Sequence, residues 1–179
     1  NGGSLIVSEA STGNISYNLA ITDTNWHLIS SPVVGEEYDN GWISANDIAI
    51  GTVNTDNRGI AYYDNGVPDE ITEHWRYFQI SSGASTTFDA GVGYSMLRTV
   101  AGTYNFTGTF PATDISPIIS QGYQKWNLIG NPYPSYIDIE AFIIENTANL
   151  PGVYQGIYLW NGSGYTNKTT GYIHPGQAF

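Results

Sequence analysis

Trp26-His-Leu-Ile-Ser-Ser-Pro32 returns as Trp126-Asn-Leu-Ile-Gly-Asn-Pro132, with every shared residue one hundred positions further on. A fixed-period return of this kind reorganises the reading of the whole chain, so it comes first. Two more blocks recur in the same order. Gly59-Ile-Ala-Tyr-Tyr-Asp64 matches Gly156-Ile-Tyr-Leu-Trp-Asn161, and Phe88-Asp-Ala-Gly-Val-Gly-Tyr94 matches Ile173-His-Pro-Gly-Gln-Ala-Phe179. Between the last two blocks each copy carries a strand aromatic, Trp75 in one and Tyr165 in the other. The repeat divides the chain into the end of a preceding repeat region (1–15), a first half-domain (16–96), a connecting hairpin (97–121) and a second half-domain (122–179). The halves are expected to pack as one unit. The chain opens on Asn1-Gly-Gly-Ser4 and stops at Phe179 within an apolar run, which reads as a cut from a longer polypeptide, truncated at the last strand.

Local signals between the repeats are those of strands. Asn14-Ile-Ser-Tyr-Asn-Leu-Ala-Ile-Thr22 alternates, placing Ile15, Tyr17 and Leu19 on one face. Gly102-Thr-Tyr-Asn-Phe-Thr-Gly-Thr-Phe110 is rich in the aromatic and β-branched residues that suit a pleated surface. Turn punctuation is dense, with Asn-Gly at Asn40, Asn65 and Asn161, the strongest short hairpin signal. Two segments read as short helices: residues 42–50, with Ser44 as a candidate cap, and residues 136–146, with Ile139, Phe142 and Ile143 on one side. The fold class expected is all-β, a β-sandwich-like domain of two sequence-related halves with one or two short helices.

Composition narrows the partners. Asp plus Glu outnumber Lys plus Arg by 16 to 5, a formal charge of −11. Phosphate backbones and anionic lipid surfaces are recognised by cations, so nucleic acid is excluded as a ligand and membrane binding is disfavoured. No apolar run reaches the roughly 20 residues of a spanning helix, so membrane insertion is not expected. Without cysteine there is no disulfide, thiolate nucleophile or thiolate zinc site. Charged residues are only 12% of the chain, about half the usual share of roughly 25%, so Asn, Ser, Thr, Gly and Tyr must supply much of the surface.

Catalytic constellations are thin. There is no Gly-x-Ser-x-Gly elbow and no phosphate-cradling loop. His27, His74 and His174 are dispersed, and His27 is replaced by Asn127 in the second copy. The loop Asp64-Asn-Gly-Val-Pro-Asp-Glu-Ile-Thr-Glu73 supplies oxygen ligands of the kind Ca²⁺ takes, nominating Asp64, Asp69 and Glu70 for a structural calcium, although the spacing of a complete calcium loop is missing. No cofactor is required.

The aromatics are the remaining signal: 14 Tyr and 5 Trp on a neutral-polar background. Sugar rings stack their apolar C–H faces on such rings, while a few directional polar groups take the hydroxyls. Trp42, Trp75, Trp160 and Tyr63 are the candidate platforms, with Asp64, Arg58 and Arg76 as polar neighbours. Trp26 and Trp126 recur ahead of Leu-Ile and are assigned to the core. An acidic glycan would be repelled unless Arg58, Arg76, Arg98 or a bound Ca²⁺ gathered locally, so a neutral glycan is favoured.

The blocks Trp126-Asn-Leu-Ile-Gly-Asn-Pro-Tyr-Pro134, Gly156-Ile-Tyr-Leu-Trp-Asn-Gly162 and Pro175-Gly-Gln-Ala-Phe179 resemble a recurrent β module of large secreted Bacteroidetes proteins, notably flavobacterial ones. There the module usually stands ahead of a type IX secretion sorting domain. Trp26-His-Leu-Ile-Ser-Ser-Pro32 and Gly91-Val-Gly-Tyr94 resemble its front, and Gly3-Ser-Leu-Ile-Val-Ser8 the end of the repeats that often precede it. The resemblance implies a secreted or cell-surface location and covalently linked catalytic or adhesin domains. Together these readings give a noncatalytic carbohydrate-binding module of a secreted polysaccharide-active protein. The alternatives are a structural or adhesive spacer and, less favoured, a polysaccharide-degrading enzyme.

Overall fold

The computed structural model describes Leu5 and residues 12–68, 73–82, 86–150 and 156–179. These residues are mainly β, with two short helices. The alternation read at residues 14–22 is strand β1 (Asn14–Ile21), whose Ile15, Tyr17, Leu19 and Ile21 turn inward and whose polar residues face out. Its partner is strand β6 (Gly102–Thr109), antiparallel over all eight residues from Asn14↔Thr109 to Ile21↔Gly102. Residues 97–121 therefore contribute one strand to a distant partner instead of the expected connecting hairpin. Tyr104 and Phe106 of β6 are buried on the face that meets the core.

A four-stranded sheet follows the order β2-β5-β3-β4, from β2 (His27–Ile29), β3 (Asn57–Tyr63), β4 (Trp75–Gln79) and β5 (Tyr94–Met96). Further along the chain, β7 (Ile137–Asp138) pairs with β10 (Tyr172–Ile173), and β8 (Ile157–Trp160) forms a hairpin with β9 (Tyr165–Lys168). Helix α2 (Ile139–Glu145) lies within the segment 136–146 read as helical, whereas α1 (Asn40–Ala45) starts two residues ahead of the segment 42–50 and ends at Ala45. Each is held by the same device. Asp39 Oδ1 accepts from Trp42 N, and Asp138 Oδ1 from Ala141 N, satisfying a free amide of the first turn. At the other end Asn46 Nδ2 donates to Trp42 O and Asn146 Nδ2 to Phe142 O, both over 2.9 Å. The cap of α1 is thus Asp39, not Ser44, because only a residue ahead of the first turn can reach its free amides.

Four short segments around the repeat motifs close on one another. β2 pairs with β5 (His27↔Met96, Ile29↔Tyr94). The stretch ahead of β5 bonds to the second tryptophan motif, Gly93 N donating to Leu128 O (3.1 Å) and Gly130 N to Gly91 O (2.9 Å). That motif bonds to the chain end, Ile129 and Phe179 exchanging both backbone bonds. The chain end returns to the first motif, Ala178 N donating to Leu28 O (3.1 Å) and Ser30 N to Gly176 O (3.0 Å). Several bonds between segments fall at positions matched by the sequence repeat: Ile29–Tyr94 answers Ile129–Phe179, Leu28–Ala178 answers Leu128–Gly93, and Ser30–Gly176 answers Gly130–Gly91.

The main core gathers β1, α1, β3, β5 and β6 around Trp42, Phe88, Tyr94, Met96, Tyr104 and Phe106. A second cluster centres on Ile139, Ile157 and Ile173, with Phe142 and Phe179 against it. Burying each large side chain contributes roughly 1.5–3 kcal/mol, which is what holds together a chain without cysteine. No helix among the described residues is long and apolar enough to cross a membrane.

Candidate functional site

Trp42 is corrected from platform to core. It is 8% exposed, stacks on Tyr104 with ring planes 9° apart and meets Phe88 edge-on. Its Nε1–H donates to Asn105 O over 2.9 Å, so its polar edge is also satisfied inside the protein. The surroundings that make it apolar come from β6, some sixty residues away, which is why its local sequence did not show them.

Tyr63, Asp64, Trp75 and Arg76 are brought together at the loop end of the β3–β4 hairpin, where Tyr63 pairs with Trp75 and Tyr62 with Arg76. Directly paired residues share a face of the sheet, and residues two apart on a strand do as well. One face of this hairpin therefore carries Tyr63, Trp75 and Tyr77. The Tyr63 and Trp75 rings lie 5.4 Å apart, and Trp26 packs edge-on against Tyr77 at 6.1 Å. Tyr77 is exposed; Trp26, Tyr63 and Trp75 are half-buried. Four aromatics thus form a band that is partly open to solvent.

A groove of about 260 Å³ lies beside Tyr62, Arg76 and Phe78 of the opposite face and is also lined by Tyr38, Tyr77, Gln79 and Thr86. Arg76 Nε donates to Asp64 Oδ2 over 3.1 Å, and Gly66 N donates to Asp64 Oδ1. The pair is exposed, so its worth is in holding the turn and in presenting directional polar groups beside the band. Burial pushes the Tyr38 hydroxyl above its ordinary range, which keeps it a neutral donor and acceptor.

The other candidates stand elsewhere. Arg58, at the far end of β3, spends its Nη1 on the carbonyls of Thr55, Asp56 and Asn57. Arg98 is buried, donates to Asp47 Oδ2, Thr103 O and Val100 O, and lies over the Tyr104 ring. At 5% exposure it is not open to an external anion. Trp160 is half-buried on the β8–β9 hairpin, where its Nε1–H donates to Trp26 O over 3.1 Å. Of the calcium candidates, Asp69 and Glu70 lie outside the described residues, and Asp64 is occupied by Arg76 and Gly66. Among the described residues no group of three or more His, Asp or Glu is placed to hold a metal ion.

Two aromatic positions besides Trp42 differ from the sequence reading. Trp126, assigned to the core, is 46% exposed and packs its ring edge-on against Tyr158 at 5.0 Å. Tyr77 went unnoticed, although its two-residue spacing from Trp75 on an alternating strand was a readable signal.

The Asn65-Gly66 turn is a joint. Asn65 Nδ2 lies 3.0 Å from Ser120 O, 3.1 Å from Trp126 O and 3.1 Å from Asn127 Oδ1, while its Oδ1 accepts from Ser120 Oγ at 2.8 Å. Each hairpin therefore holds the carbonyl of the tryptophan in the more distant motif: Asn65 that of Trp126, and Trp160 that of Trp26.

No curated protein and no solved structure matches the chain. One family model matches residues 1–179 in full, and the chain belongs to that family, DUF8693, described as a domain of unknown function.

Proposed function

We propose that this chain is a noncatalytic carbohydrate-binding module, built as a β-sandwich-like unit from two related halves, in a secreted or cell-surface polysaccharide-active protein. The observation that carries the reading is the aromatic band of Trp26, Tyr63, Trp75 and Tyr77, with the Asp64–Arg76 pair at its edge. Such a band gives sugar rings an apolar surface, and the pair supplies hydrogen bonds to hydroxyls. A net charge of −11 favours a neutral glycan. The two-halves reading is supported by the matched backbone bonds and by the shared capping of α1 and α2. The noncatalytic reading is supported by the employment of carboxylates in the fold: Asp39 and Asp138 cap helices, Asp47 holds Arg98 and Asp64 holds Arg76. Location and linked catalytic or adhesin domains follow from the resemblance to the module that precedes type IX sorting domains. A calcium near Asp64 is a further proposal, resting on the acidic loop sequence.

The second reading is a structural or adhesive spacer. It is favoured by the use of Trp160 and Asn65 to join the halves. Affinity electrophoresis through gels of barley β-glucan, xylan, galactomannan and alginate, with and without EDTA, separates the two. Retardation in one neutral glycan, abolished by Trp75→Ala or Tyr77→Ala, is the expected result. Loss of that retardation with EDTA would add a functional calcium. Unretarded migration in all four gels would overturn the binding reading and leave the spacer.

A further inference from the structure

The β8–β9 hairpin repeats the arrangement of β3–β4 with its aromatics redistributed. Trp160 pairs with Tyr165 where Tyr63 pairs with Trp75, and Tyr158 pairs with Asn167 where Ala61 pairs with Tyr77. The cross-strand pair next to the tryptophan motif holds one tyrosine in each hairpin, on β4 in the first and on β8 in the second. In both, the motif tryptophan packs edge-on against that tyrosine: Trp26 on Tyr77 and Trp126 on Tyr158. Trp160 and Tyr165 stand 5.1 Å apart, as Tyr63 and Trp75 stand 5.4 Å apart. Each hairpin face thus carries three aromatics, with a motif tryptophan packed against it as the fourth.

The second set is the more open. Trp126 is 46% and Tyr165 57% exposed, although the core of that half is closed by Ile139, Ile157 and Ile173 on other faces. Packing alone gives no reason for two large rings to stay at the surface at positions matched to the first band. Asn167, exposed and directly across from Tyr158, supplies a neutral donor and acceptor at the edge.

We infer that Trp126, Tyr158, Trp160 and Tyr165 form a second glycan platform, so that the module grips one neutral polysaccharide chain at two places. The inference rests on the binding reading above. Two weak platforms on one rigid unit raise the local concentration of the second contact once the first is made, so a long polymer is held more tightly than a short oligosaccharide.

The test is tryptophan-indole NMR of the full 179-residue chain titrated with cellohexaose, xylohexaose and mannohexaose. Trp42, whose Nε1–H is bonded inside the core, is the internal control and reports folding in every variant. The expected result is that one hexaose moves the signals of both Trp75 and Trp126 and leaves Trp42 still. Trp126→Ala and Tyr158→Ala should then each weaken retention in the parent polysaccharide gel at least tenfold, with the Trp75 shift intact. Movement of Trp75 without Trp126 overturns the second platform while the binding reading stands. Movement of Trp126 alone overturns the two-place grip. Stillness of all indoles, with no retardation in any gel, overturns the binding reading itself.

Discussion

Ser30 and Gly130, one hundred residues apart in matched motifs, face each other: a Cβ added to Gly130 would lie 2.3 Å from Ser30 Cβ. Gly93 and Ala178, also matched by the repeat, stand in the same relation, with an added Cβ on Gly93 2.8 Å from Ala178 Cβ. Where matched segments approach this closely, two side chains do not fit, so one member of each pair is glycine. The departures from the repeat at these positions are steric necessities.

Gly130→Ser should therefore destabilise the protein by about 1–3 kcal/mol, the range of an overpacked core. The exchange Ser30→Gly/Gly130→Ser should recover most of that loss, because it moves the single hydroxymethyl group across the contact. Ser30 Oγ donates to Asn131 O at 2.8 Å, and the relocated serine would find the carbonyl of Ser31 at the matched place. Urea unfolding of the three variants checks this. A double variant no more stable than Gly130→Ser would show that the two matched motifs are not interchangeable at this contact.

Trp42→Ala should cost about 3–5 kcal/mol, as for large aromatics removed from cores. Trp42→Phe should cost less but more than ring size implies, since Asn105 O loses its donor. Thermal unfolding by circular dichroism reads both. Folded Trp42→Phe should migrate as wild type in every glycan gel.

Asn65→Ala strips the bonds to the loop around Ser120, Trp126 and Asn127, at about 1–3 kcal/mol. Asn65→Asp keeps the shape but cannot donate, and should lose nearly as much. Amide hydrogen exchange should accelerate across residues 120–127 in both, with the α1 region unchanged. Uniform acceleration across the chain would instead place Asn65 in the global folding unit.

Two carboxylates push the pH dependence in opposite directions. Ser81 donates its hydroxyl and its backbone N–H to Asp56, holding that carboxyl below its ordinary 3.8. A lowered folded value gives stability that is present above 3.8 and lost as pH falls through the folded value. Desolvation raises Glu36 above its ordinary 4.5 despite the N–H of Thr107 that it accepts. That contribution is present below 4.5 and lost as pH rises through the raised value. Asp56→Asn should flatten the acid limb of a urea-midpoint profile below pH 4. Glu36→Gln should raise the midpoint at pH 7 and leave it unchanged at pH 3.

The strands and helix segments were legible because their signals are local. The alternation of Ile15, Tyr17, Leu19 and Ile21 needs only the two-residue period of a strand, and the Asn-Gly pair at Asn65 needs only its own turn. The grouping of Tyr63, Asp64, Trp75 and Arg76 was also within reach, since hairpin pairing joins residues close in sequence. Trp42 was not, because the six residues of α1 do not reveal that β6 crosses them. Nor was Trp126, whose motif is shared with half-buried Trp26 while its exposure is set by which neighbour covers it.

By itself the sequence determined the β class, the short helices, the repeated motifs and the acidic, aromatic-rich surface, all of which follow from short-range backbone preference and composition. Tertiary structure alone decided that β6 pairs with β1, that Trp42 is core while Trp126 is open, and that Ser30 meets Gly130. Those outcomes depend on contacts between residues about sixty to one hundred positions apart. Chain closure over such distances is governed by the packing of the whole molecule, which no local window contains.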